Sequence, residues 1–135
     1  MTAMLTRPTT PGRLITRTEH APDEGWLSLE EHDLFSVIRV DAERIGGNLA
    51  TALEKMIEWA ADRGEAIVVA VRNELALTGA AMKVLIDASR SYPEFAIAGV
   101  GPDGQHAVAA LDPASRVQTA PDVTSALRGM RRRAA

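Results

Sequence analysis

Residues 65–90, which read EAIVVAVRNELALTGAAMKVLIDASR, decide the fold class of this chain. The segment opens with Ala66–Val71, six consecutive apolar residues of which four are β-branched. A short apolar run without polar alternation is typical of a strand buried on both faces, as in parallel sheets. Apolar residues then recur at the spacing of one helical stripe, at Ala81, Val84, Leu85 and Ala88. The segment therefore predicts a buried parallel strand followed by an amphipathic helix.

The turn at Asn73–Gly79 joins the carboxyl end of the predicted strand to the amino end of the predicted helix. Functional sites of open α/β sheets tend to lie at this position. Thr78 is predicted to cap the helix through its hydroxyl. Leu75 and Leu77 flank the helix start and leave two alternatives: at least one faces solvent and marks an interaction surface, or both pack beneath the turn.

The elements on either side of this segment predict an α/β fold in the order β-β-β-α-β-α-β-α-β-α. Predicted strands cover 13–18, 26–30, 34–40, 66–71, 95–100 and 116–118, and predicted helices cover 48–63, 80–91, 103–111 and 121–130. Strands that alternate with helices imply a mixed, mainly parallel sheet with an antiparallel N-terminal edge and helices packed on it. One domain is predicted over residues 13–128, with a flexible lead-in at 1–12 and a basic tail at 129–135.

Several polar residues are predicted to cap the starts of helices, and one glycine is predicted to terminate a helix. Asn48 is the predicted cap of the first helix, and Gly64 is the glycine predicted to terminate it. Asp103 is the predicted cap of the third helix. Thr119 and Asp122 have the spacing of a capping box for the last helix.

The composition excludes several classes of site. The net charge is −3, and without the four arginines of the last eight residues the rest of the chain carries 11 basic and 18 acidic side chains. Such an acidic body disfavours nucleic acid as the main partner. The absence of cysteine excludes disulfides, thiolate metal sites and cysteine nucleophiles. Without a long apolar run or a secretory signal, a cytoplasmic location is predicted.

The histidines and the glycine-rich segment do not match the patterns of metal sites or phosphate-binding loops. His20, His32 and His106 have no second ligand at metal-binding spacing, and the polar segment 30–33 is predicted to be a solvated turn. The glycine-rich segment 99–104 lacks both a GxGxxG pattern and the lysine of a phosphate loop. No metal, cofactor or phosphate site is therefore predicted at these residues.

The order of segments resembles a known family. The strand AIVVAV, the turn RNELALTG and the helix start GAAMKVLI are followed by AIAGVGPDGQHAVAAL, RVQT and APDVTSAL. Over residues 34–128 this arrangement resembles the STAS domain, the fold of sulfate transporters and anti-sigma factor antagonists. The resemblance lies in the architecture more than in exact motifs.

One feature of the turn departs from the STAS pattern. The acidic residue, phosphorylatable serine, second hydroxyl residue and glycine of that family fall on Ala76, Leu77, Thr78 and Gly79. Because leucine has no hydroxyl, the resemblance implies that the usual phosphorylation switch is lost at Leu77. Thr78 is a weak candidate for phosphorylation, since a hydroxyl that caps a helix is poorly placed for a kinase.

The resemblance implies a non-catalytic regulatory module of the bacterial cytoplasm that binds another protein. The expected partner is an anti-sigma factor, a related histidine-kinase-like ATPase or another STAS protein, and no cofactor is expected. The residues predicted to contact the partner are Leu77, Thr78 and Gly79, with Asn73, Glu74 and Met82 at the rim.

Two other functions stay open as alternatives. One is a STAS-type sensor of a nucleotide, anion or lipid, or an accessory subunit of a transporter, because a helix amino terminus can bind anions. The other is a small enzyme of flavodoxin-like shape, which would need a pocket that brings together His106, Asp103 and a further carboxylate.

Overall fold

The computed structural model describes residues 14–21, 25–42, 45–72, 79–111 and 117–134, with the backbone alone at 14–21, 111 and 131–134. Within these residues, the strands and helices follow one another in the predicted order. The strands are β1 (Leu14–Ala21), β2 (Gly25–Glu31), β3 (Phe35–Ala42), β4 (Ala66–Val71), β5 (Phe95–Ala98) and β6 (Gln118–Ala120). The helices are α1 (Gly47–Ala61), α2 (Gly79–Ser91), α3 (Pro102–Leu111) and α4 (Val123–Ala134).

The strands form one six-stranded sheet whose order across the sheet is β1-β2-β3-β4-β5-β6. β2 pairs antiparallel with both β1 and β3, whereas β3, β4, β5 and β6 pair parallel. This arrangement confirms the predicted mixed sheet with an antiparallel N-terminal edge. Because β4 has a parallel neighbour on each side, the hydrophobic strand lies in the middle of the sheet, as its composition predicts.

β4 spans the predicted residues 66–71, and its side chains enter two separate cores. Ile67 and Val69 belong to the larger core, which α1 and α2 cover. Val68, between them, belongs to the smaller core beneath α4. Successive side chains of a strand point to opposite faces, so a run without polar residues is what two covered faces require.

Three helices contribute to one face of the sheet and one helix covers the other. Leu53 of α1, Leu85 of α2 and Val108 of α3 share the larger core. Ala126 and Met130 of α4 pack into the smaller core. Because the parallel strands are added in one direction, crossovers of a single hand keep the three connecting helices on the same face.

The two ends of α1 differ in how well they were predicted. The helix begins after Gly46, which has an extended backbone and no side chain that could cap the helix. Asn48 is therefore an exposed residue of the first turn and not the cap, which corrects the prediction. Gly64 has a left-handed backbone with φ of 70°, and its N–H donates to the Ala61 carbonyl oxygen at 2.9 Å, as expected after a helix end.

Asp122, and not Thr119, caps α4. The Asp122 carboxylate accepts a hydrogen bond from the Ser125 backbone N–H at 2.7 Å. This bond stabilises the charged carboxylate and lowers the pKa of Asp122 below its usual value. Thr119 is unavailable for capping because it lies inside β6, which continues to Ala120.

Two further predictions are corrected at α3 and α4. α3 begins at Pro102, so Asp103 lies in its first turn instead of capping it. α4 continues to Ala134, so the segment predicted as a basic tail has a helical backbone up to that residue.

Gly99 joins the carboxyl ends of the last parallel strands. Its φ is 92°, and a Cβ atom on it would collide with the Val71 carbonyl oxygen of β4. Its N–H donates to the carbonyl oxygen of Ala120 at the end of β6, at 3.0 Å. Only glycine combines this backbone conformation with such a close approach. Gly99 therefore fixes the carboxyl ends of the parallel strands, where the candidate site lies.

Candidate functional site

The predicted site lies between the end of β4 at Val71 and the start of α2 at Gly79. Four of the predicted contact residues, Asn73, Glu74, Leu77 and Thr78, lie outside the described residues, as does Leu75. The structure therefore describes the two flanks of the turn, which are Arg72 on the strand side and α2 on the helix side.

Arg72 continues β4 alongside β3 up to the beginning of the turn. Its backbone N–H donates to the Val40 carbonyl oxygen at 3.2 Å. Its Nη1 atom donates to Asp41 Oδ1 at 3.0 Å, between two largely exposed side chains. An ion pair in that environment adds little stability, so the backbone bond is the more important contact at this flank.

The first turn of α2 is open to solvent. Gly79 and Ala80 are exposed, and a Cβ atom placed on Gly79 would meet no described atom within 4 Å. Crowding within the described residues therefore does not require glycine at this position.

A shallow groove of about 330 Å³ runs along α2 from this first turn. Its lining residues recur at helical spacing and form one stripe: Gly79, Met82, Lys83, Ile86, Asp87 and Arg90. We call this stripe the α2 groove. Because every described lining residue belongs to α2, the groove is a surface of that helix, and it begins where the predicted contact turn ends.

The α2 groove combines an apolar floor with a charged rim. Met82 is 2 % exposed and belongs to the core, so it supports the groove from below, whereas the sequence placed it at the rim. Ile86 is half-buried, and Lys83, Asp87 and Arg90 are exposed. Apolar contact area surrounded by charged side chains is the usual make-up of a protein-docking surface.

A second, smaller groove of about 160 Å³ separates α1 from α2. Glu54, Glu58 and Asp87 line it together with apolar side chains such as Ile57. Asp87 thus borders both grooves. Within the described residues, no group of three histidine, cysteine or carboxylate side chains has the arrangement of a metal site.

Away from α2, charged residues that were predicted to be solvated form a partly buried cluster. Glu30 is 1 % exposed, and Arg39 Nε donates to its Oε2 atom at 2.6 Å. His32 stacks on Phe35 with ring centroids 4.4 Å apart. Sequence reasoning missed this burial because Arg39 lies nine positions away and reaches Glu30 only through the pairing of β2 with β3.

Arg63 attaches the segment after α1 to the same region. Its Nη1 atom donates to Ser36 Oγ at 3.1 Å, and its Nη2 atom donates to the His32 carbonyl oxygen. Ser36 is fully buried, so it needs this partner. Glu30 and Glu31 are therefore part of the packed structure, which corrects the prediction of a solvated turn for these two residues, whereas Asp33 is exposed as predicted.

The residues named for an enzymatic site are not brought together with a pocket. His106 and Asp103 are both exposed on α3, and neither lines either of the two grooves described above. The described residues therefore give no support for the acid–base arrangement that the enzymatic alternative needs.

Comparison with known proteins finds no matching family model and no matching curated protein. Among solved structures, the chain is similar to the crystal structure of an anti-sigma factor antagonist from Mycobacterium paratuberculosis. The TM-score is 0.65 at 22 % sequence identity, and the match covers 82 % of this chain and 97 % of the other. This chain has the STAS fold. The fold that the order of segments implied is therefore confirmed, whereas the roles of the turn residues stay predictions.

The described part of the chain contains no helix that is both long and apolar enough to cross a lipid bilayer.

Proposed function

We propose that this STAS-fold chain is a non-catalytic regulatory module that binds another protein through the predicted turn and the α2 groove. The partner would be an anti-sigma factor, a related histidine-kinase-like ATPase or another STAS protein. The proposed contact residues are Asn73, Glu74, Leu77, Thr78 and Gly79, together with Lys83 and Ile86, while the buried Met82 supports this surface from below.

The observation that carries the proposal is the continuity of two surfaces. The turn starts at the carboxyl end of the central strand, and the α2 groove starts at Gly79, where the turn ends. A half-buried Ile86 beside the exposed Lys83 gives a partner both an apolar contact and a charge to pair with. A solved structure with the same fold is named an anti-sigma factor antagonist, which supports a protein as the partner.

The proposal also explains the leucine at position 77. Where a phosphorylatable serine would allow the contact to be switched off by added charge, Leu77 would offer a permanent apolar contact. Binding would then be regulated by the abundance of the partners instead of by phosphorylation at this position.

Titration with an anti-sigma factor from the same organism tests this function. We expect Leu77→Asp and Lys83→Glu each to weaken binding at least about tenfold, because each removes a contact at the centre or rim of the surface. Lys55→Glu is the matched control for charge, since Lys55 is exposed on α1 and does not line the α2 groove. The melting transition should stay nearly unchanged in all three variants.

Equal affinity of the wild type and both groove variants would remove the proposed docking role. A loss of affinity in Lys55→Glu as large as that in Lys83→Glu would show a general charge effect instead of a local contact.

The α2 groove also favours a second function, the binding of a small anion or nucleotide. Lys83 and Arg90 both line it, and it begins at a helix amino terminus, where backbone N–H groups attract anions. A thermal-shift screen with nucleotides, phosphate and sulfate distinguishes the two functions. A shift that Gly79→Val or Thr78→Val abolishes would favour the ligand, whereas no shift with any of them would remove this alternative.

A further inference from the structure

β1 forms one edge of the sheet and is long for an edge strand. Within the described residues it pairs only with β2, and no strand pairs with its outer side. It spans eight residues and contains no proline. An edge of this length presents a row of backbone N–H and C=O groups to a further strand. Two other features decide which strand would fit: the symmetry of a pair and the order of charges along β1.

We propose that two copies of this chain associate through β1, antiparallel, around a two-fold axis at Thr18. The two six-stranded sheets would then continue into each other. Such a contact is isologous, meaning that each copy uses the same residues, so the strand must be complementary to itself.

Symmetry restricts the possible registers of this pair. A two-fold axis perpendicular to the sheet places one residue of β1 directly opposite its own copy. The regular part of the strand follows an irregularity between Ile15 and Arg17, after which residues 17–21 pair one by one with β2. The central residue is therefore expected within this regular part.

The charges on β1 select one of these registers. Centring the pair on Thr18 places position 17 of each copy opposite position 19 of the other, so an arginine faces a glutamate twice. Centring it on Arg17 or on Glu19 places identical charges opposite each other at the axis. Opposite charges across antiparallel strands are favourable and like charges are unfavourable, so among the registers centred in this regular part only the one at Thr18 is complementary within β1.

The proposed pairing is independent of the proposed function. β1 is an edge strand, whereas α2 connects the interior strands β4 and β5, so the α2 groove stays accessible in the pair. A single strand edge buries less area than a standard interface. We therefore expect a weak association, with a dissociation constant of roughly 10 µM to 1 mM.

Sedimentation equilibrium of the full chain over about 5–1000 µM, at low and high salt, tests the pairing. We expect a monomer–dimer equilibrium that weakens with salt. Arg17→Glu and Glu19→Arg should each weaken dimerisation about tenfold or more, because each replaces two opposite-charge pairs with two like-charge pairs. Circular dichroism of each variant checks that the fold is kept.

Mixing the two single variants gives the sharpest result. An equimolar mixture of Arg17→Glu and Glu19→Arg chains restores opposite charges at both positions, so it should form heterodimers about as well as the wild type forms homodimers. The double variant Arg17→Glu with Glu19→Arg should likewise dimerise, and it serves if a single variant fails to fold.

Three results would overturn the proposal. The wild type could stay monomeric over the whole concentration range, in which case a free β1 edge does not recruit a second copy. It could dimerise with no loss in either single variant, which would place the interface elsewhere. The mixture and the double variant could both fail to restore dimerisation, which would contradict the register.

Discussion

Two arginine–carboxylate pairs link neighbouring strands in this sheet, and they differ mainly in burial. Arg39 and Glu30 link β3 to β2, and the side chain of Glu30 is 1 % exposed. Arg72 and Asp41 link the end of β4 to β3, with side chains that are 76 % and 61 % exposed. A buried carboxylate depends on its partners, whereas an ion pair in water is worth little.

This difference in burial indicates that the residues that stabilise the fold and the residues proposed to bind a partner lie in separate regions. The buried pair belongs to a region that Arg63 also holds through bonds to Ser36 and His32. The exposed pair lies at the carboxyl ends of the parallel strands, next to the turn that leads into α2. Side chains there can change with little effect on folding, which is the freedom that a binding surface needs.

Removal of the buried carboxylate should have the largest effect. We expect Glu30→Ala to lower the free energy of unfolding by about 1–3 kcal/mol, as measured by urea denaturation. The loss should stay below that of a fully buried pair, because Arg39 is partly exposed and can turn towards water. A loss below about 0.5 kcal/mol would contradict the importance of this pair.

The matched substitution at the exposed pair should hardly change the stability of the fold. We expect Asp41→Ala to lower the free energy of unfolding by about 0.5 kcal/mol or less under the same conditions. If Asp41→Ala lowered the free energy of unfolding as much as Glu30→Ala, burial would not be the property that distinguishes the two ion pairs.

The smallest effect should come from Asp122, an exposed cap whose pKa the Ser125 backbone N–H lowers from 3.8. A carboxyl group with a lowered pKa in the folded state stabilises the fold above its unfolded pKa and loses that contribution as the pH falls through the folded value. Asp122→Asn can still cap the helix but cannot titrate. Wild type should therefore lose stability relative to Asp122→Asn as the pH falls below 3.8, because protonation removes the charge from the Asp122 cap. A stability difference that does not change with pH would contradict the role of the charge.

The parts of the fold that depend on local pattern were predictable from the sequence. β4 has the predicted bounds because an uninterrupted run of six apolar residues, four of them β-branched, favours a strand that is covered on both faces. The order of strands and helices followed from the same kind of pattern, and the STAS fold followed from that order.

Features that depend on exact ends or on distant partners were not predictable. Asn48 and Thr119 are good capping residues by type, but α1 starts one residue earlier and β6 runs through Thr119. The burial of Glu30 depends on Arg39 of the neighbouring strand, which only the pairing of β2 with β3 brings close. At the candidate site, the sequence located the turn, but the α2 groove needed the three-dimensional position of Met82 and Ile86.

Hydrogen exchange with and without a bound anti-sigma factor is the measurement that tests the central claim most directly. The account predicts slower exchange in residues 72–90, which cover the turn and α2, and unchanged exchange in residues 28–39, which contain the buried Glu30–Arg39 pair. Unchanged exchange in 72–90 together with slower exchange in 28–39 would contradict it, because the partner would then contact the region assigned here to stability.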